Sequence, residues 1–117
     1  MEQIIYALPI IAVIGFLFII WKSAWVSKQQ MGNAKMSKIA KHISDGAMAF
    51  LKAEYKILAI FVAAVAVLLF LKSTNEATSN GYVVISFISG ALLSGLAGFI
   101  GMRIATKANV RTTYAAQ

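Results

Sequence analysis

Residues 82–102 read YVVISFISGALLSGLAGFIGM, 21 positions without a charge, followed at once by Arg103, Lys107 and Arg111. As a helix rising 1.5 Å per residue, that run is about 31 Å long, the thickness of a bilayer's hydrocarbon. Cations just past its end complement the carbonyl pole of a helix and mark the cytoplasmic face. Upstream lies a polar turn, Ser73 to Gly81, whose only charge is Glu76. A loop so poor in lysine and arginine belongs on the outer side.

Before that turn comes a second apolar run, Ile57 to Leu71, with fifteen uncharged residues. Lys56 and Lys72 flank it and can snorkel to either interface, and Tyr55 suits the interface, so the span extends over about 53–72. Further upstream, Met36, Ile39, Ala40, Ile43, Ala47, Phe50 and Leu51 recur at three- and four-residue steps. That period predicts a helix with one apolar face, running without a break into the second span. Gly32 and Asn33 mark a turn before it. The first apolar run, Ile4 to Trp21, has eighteen residues and no charge. A cleaved signal peptide would open with basic residues and close on a small-residue cleavage site. Here the leading charge is Glu2, and the run exits through Trp21, Lys22 and Trp25, an interfacial anchor. It reads as a retained span over about 4–21, with Pro9 near its start able to kink it.

Composition agrees. Hydrophobic residues make up 60% and charged residues 13% of the 117, against roughly 25% charged in soluble domains. Of eleven basic residues, seven (Lys22, Lys28, Lys35, Lys38, Lys41, Lys52 and Lys56) lie between the first two apolar runs. That is the pattern of a cytoplasmic loop facing anionic lipid, not of a nucleic-acid surface. The expected architecture is all-α: one integral membrane segment, 1–117, with three transmembrane helices. The loop 22–52 and the tail 103–117 are cytoplasmic, the turn 73–81 is outside, and so is the N-terminus.

Ser86, Gly90, Ser94 and Gly98 recur every fourth residue along the third span, with Gly95 and Gly101 beside them. Such a ladder lets another helix approach closely, and its functional alternative is a glycine helix lining a rotor or pore. No ionisable side chain lies deep within a span, so these helices hold no evident proton or ion relay. Asp45 and Glu54 are nine positions apart, about 13–14 Å along a helix, too far to share a metal. They read as solvated or paired with Lys41 or Lys52, and His42 reads as a solvated side chain. Without cysteine, thiolate metal sites and cysteine nucleophiles are excluded. The sequence offers no catalytic, cofactor-binding or metal-ligating residue.

Two strings are more particular than hydropathy. One is ISDGAMAFLKAEY, residues 43–55. The other begins with Phe87 and Gly90 and continues as SGLAGFIGMRIATKANVRT, residues 94–112. In order and spacing they resemble the beginning of a membrane-bound inorganic pyrophosphatase, the family that couples pyrophosphate hydrolysis to pumping of protons or sodium ions. The resemblance implies a much longer parent of about sixteen helices, to which this chain supplies three of an outer ring. It implies magnesium and pyrophosphate held on later helices, a homodimer, and residence in the bacterial inner (cell) membrane. None of the family's aspartate-rich substrate motifs occurs here, so no site residue is carried over and the chain by itself is expected to be inactive. It is expected to be a fragment or truncated frame. The competing reading is a self-sufficient small membrane protein: a transporter or rotor-ring subunit, which rests on the glycine ladder, or an assembly factor, which rests on the packing surfaces alone.

Overall fold

The structure is a computed structural model that describes residues 2–75 and 81–117, with the side chains of 5–73 and 81–117. Its elements are helices: α1 (Glu2–Ser27), α2 (Ala34–Asn75) and α3 (Tyr82–Ala115). At 26, 42 and 34 residues, they measure about 39, 63 and 51 Å. Each contains a stretch apolar and long enough to cross a membrane. Most of the outer turn, Glu76 included, lies outside the described residues.

α1 is apolar on all sides, and Pro9 sits inside it without ending it. Near its start, the missing proline N–H forfeits one backbone bond while the rest of the ladder carries the helix on. α2 begins where the sequence places a turn. Gly32 has φ 81°, in the left-handed region that favours glycine. Asn33 then caps the helix: its side-chain oxygen accepts from the Met36 amide at 2.9 Å, and its carbonyl accepts from the Ser37 amide at 3.1 Å.

The chain divides into two units, one of residues 1–40 with 104–117 and one of residues 41–103. In the second, Leu51 is buried and Tyr55, Val62, Val65, Ala66 and Leu69 are half-buried along α2, at helical spacing. On α3 the half-buried positions are Val84, Phe87, Ala91, Gly95, Ile100 and Met102. In the first unit, Val110 is buried and Met36, Ser37 and Ala40 are half-buried.

Two details differ from the periodicity reading. Ile39, Ile43 and Phe50 are exposed although they belong to the apolar stripe of α2. The inward positions there are Met36, Ala40, Ser44, Ala47, Met48 and Leu51, so the stripe is wider than the face that packs. The second concerns α3, which runs through Arg103, Lys107 and Arg111 and has no basic residue in its last turn. Those cations do not complement its carbonyl end.

In each helix, none of the 18-residue apolar window is buried. Outward side chains such as Leu17, Ile57, Ile60, Leu68, Leu92 and Leu93 are at least 60% exposed. Helices whose described residues bury only Leu51 and Val110 need an apolar surrounding, and lipid or further protein supplies it.

Candidate functional site

In each unit, polar contacts among the described residues join elements that are distant in sequence. In the unit of residues 41–103, the Tyr55 hydroxyl donates to the Gly95 carbonyl. The approach depends on the missing side chain of Gly98, whereas a β-carbon on Gly95 would be at ordinary contact distance. A β-carbon on Gly98 would stand 2.8 Å from the Tyr55 oxygen, and one on Gly95 would stand 3.9 Å from its ring. Part of the small-residue ladder therefore receives a tyrosine. Its other members, Ser86, Gly90 and Ser94, are exposed, and a β-carbon on Gly90 or Gly101 would meet nothing.

In the unit of residues 1–40 with 104–117, the contact is made by Arg111. Its Nε donates to the Gln29 carbonyl at 3.1 Å and its Nη2 to the Ser27 carbonyl at 3.4 Å. Its Nη1 donates to the Lys107 carbonyl, one turn back on α3, at 2.7 Å. A helix leaves its last carbonyls without intrahelical partners. α1 has no basic residue in its own last turn, so a guanidinium from 82 residues further on serves its end. Sequence reading attached Arg111 to the end of its own helix and missed this role. The available signal was the α1 terminus itself, which lacks a cation to cap it.

Around this contact lies a cleft of about 440 Å³ lined by Trp25, Gln29, Gln30, Arg111, Thr112 and Tyr114, among others. It is open at one side and carries no acidic side chain. Just before it on α1, Lys22 stands among three aromatic rings. Its ammonium is 5.7 Å from the centre of Phe18, 5.0 Å from Trp21 and 5.4 Å from Trp25. Trp21 also meets Phe18 edge-on at 6.1 Å. A lysine held by aromatic faces at the end of an apolar run suits the membrane interface.

The candidate ionisable groups do not gather. His42, Asp45 and Glu54 are exposed. No group of three or more His, Cys, Asp or Glu side chains among the described residues could hold a metal ion.

Comparison with known proteins bears on the whole segment. The family model described as inorganic H+ pyrophosphatase matches residues 13–117. A Clostridium tetani protein named as a K(+)-stimulated pyrophosphate-energized sodium pump is 45% identical over 118 aligned residues, covering 100% of this chain. K(+)-insensitive pyrophosphate-energized proton pumps from Pyrobaculum aerophilum and Methanosarcina mazei are 36% and 34% identical, each over 99% of this chain. The chain spans only 16–17% of the length of these relatives. No solved structure shows significant similarity to it.

Proposed function

This chain belongs to the inorganic H+ pyrophosphatase family, and on that premise we propose that it is a supporting, lipid-contacting segment of a pyrophosphate-energized ion pump. The carrying observation is agreement along the full chain with proteins six times longer that are named as such pumps. Relatives named for sodium and for protons are both similar to it, so the reading covers either ion. The division of labour follows from chemistry. Magnesium-assisted hydrolysis needs clustered carboxylates, and the described residues offer none. Magnesium and pyrophosphate would therefore be bound by other parts of the parent, which we take to be a homodimer in the bacterial inner membrane.

Within the parent, residues 41–103 form a helical pair closed by Tyr55, and the exposed flanks of α1 and α3 meet lipid or further helices. The lysine-rich connector faces the cytoplasm and the N-terminus lies outside, as the charge distribution requires. The direct test is hydrolysis: the purified, reconstituted 117-residue chain is expected to release no phosphate from magnesium pyrophosphate. Steady turnover by this chain alone would overturn the assignment.

A further inference from the structure

The aromatic cage of α1 holds a cation whose counter-anion the same unit does not supply. Lys22 is exposed, and its ammonium lies 5.0 Å from the ring centre of Trp21, 5.4 Å from Trp25 and 5.7 Å from Phe18. Ring faces attract the charge without accepting a conventional N–H bond, which leaves the ammonium donors for oxygen acceptors. In the unit of residues 1–40 with 104–117, the one acidic residue is Glu2, against Lys22, Lys28, Lys35, Lys38, Lys107 and Arg111. Glu2 precedes Lys22 by about 30 Å of helix, too far to pair with it.

Depth says which anion can answer. Lys22 directly follows the uncharged run Ile4 to Trp21, so its backbone stands about 1.5 Å past the end of that run. Phe18 lies about 4.5 Å before the end and Trp25 about 6 Å after it. The headgroup layer is about 5–8 Å thick on each side of the hydrocarbon, so the three rings straddle its inner edge. Lys28, about 10 Å past the run, falls beyond it. Arg103 repeats the arrangement in the other unit: it directly follows its own apolar run and stands 5.6 Å from the Phe99 ring. Around and below Lys22, Phe18, Trp21 and Leu17 are each more than half exposed. An occupant that matches both parts carries an anionic head above an apolar chain.

We propose that Lys22 and the rings of Phe18, Trp21 and Trp25 form a binding site for the phosphate of an anionic phospholipid. The rings hold the ammonium at the level of the phosphate, its donors bond the phosphate oxygens, and the acyl chain lies along Phe18 and Leu17. This inference needs the chain to sit in a membrane and is independent of the pump reading.

The test uses the full 117-residue chain with Trp25→Phe, which keeps a ring at that position and leaves Trp21 as the one tryptophan. In phosphatidylcholine vesicles, acyl-brominated phosphatidylglycerol should quench Trp21 at a several-fold lower mole fraction than brominated phosphatidylcholine does. Lys22→Gln should reduce that preference about fivefold, to near parity. Lys22→Arg should keep it, with helicity by circular dichroism unchanged in both variants. Phe18→Leu, which removes a ring and keeps apolar bulk, should lower it about twofold. Lys28→Gln removes the same charge beyond the headgroup layer and should leave it nearly unchanged. Equal losses for Lys28→Gln and Lys22→Gln would reduce the effect to general surface attraction and overturn the site. So would a full preference in Lys22→Gln or in Phe18→Leu. Loss of the preference on adding inorganic phosphate would make a free anion the ligand. Quenching set by the protein-to-lipid ratio, whatever the headgroup, would put a second copy against the cage. Either result would also overturn the proposal.

Discussion

The two units of this chain are tied in different ways. Residues 41–103 rely on a small side chain: Tyr55 reaches the Gly95 carbonyl because Gly98 leaves room for its hydroxyl. Residues 1–40 with 104–117 rely on backbone termini and charge. There a left-handed glycine turns the chain, an asparagine caps the next helix, and Arg111 collects the carbonyls at the end of the previous one. In an apolar surrounding, where water cannot substitute, a hydroxyl–carbonyl bond and the room left by a glycine serve that end. At the polar end, capping and guanidinium contacts compete with water. The contrast suggests that the apolar pair is specified by shape and the polar end by directional bonds.

That contrast is open to direct attack. The largest effect is expected at Gly32, where φ is 81° and a β-carbon would stand 2.5 Å from the Met36 sulfur and 2.9 Å from the Tyr114 ring. Gly32→Ala should destabilise by about 2–3 kcal/mol, combining left-handed strain with displacement of both side chains. Unfolding by a denaturing detergent, followed by circular dichroism, measures it. Gly32→Asn sharpens the result, because asparagine tolerates the backbone but not the contact. In the apolar pair, Gly98→Ala should cost about 1–2 kcal/mol by pushing the Tyr55 hydroxyl off the Gly95 carbonyl. Tyr55→Phe removes only the bond and should cost about 1 kcal/mol, with the ring still seated. If both substitutions in the pair were silent while Gly32→Ala was not, shape would not be what specifies it. The smallest effect belongs to Asn33→Ala, about 0.5–1 kcal/mol at an exposed cap. Hydrogen exchange should rise in the first turn of α2 and nowhere else.

Much of this arrangement was legible in the sequence. Two uncharged runs of hydrocarbon length, and a third of fifteen residues extended by its flanking Lys56 and Lys72, read as spanning helices, and period alone carried α2 back to the neighbourhood of Met36. Gly32 and Asn33 announced their turn because their chemistry is local. Helix ends were harder to read. Nothing in Arg103, Lys107 or Arg111 stops a helix, so α3 continues to Ala115, and a charge boundary is not a helix boundary. Faces were only partly readable. Ile39, Ile43 and Phe50 are apolar yet exposed, because hydrophobicity reports the need for cover and not which neighbour provides it. The ladder of Ser86, Gly90, Ser94 and Gly98 showed where a close approach was possible, while among the described glycines Tyr55 approaches Gly95 and Gly98. The bond from Arg111 to α1 spans 82 residues and has no periodic signature at all.

Family membership carries the functional reading, and the charge pattern carries the orientation on which the supporting role is drawn. With no native cysteine, single thiols can be placed at Lys38 and at Glu76 and probed in intact cells with a membrane-impermeant maleimide. The account predicts labelling of Glu76→Cys from outside, and labelling of Lys38→Cys only after the cytoplasmic face is opened. The reverse pattern would contradict it.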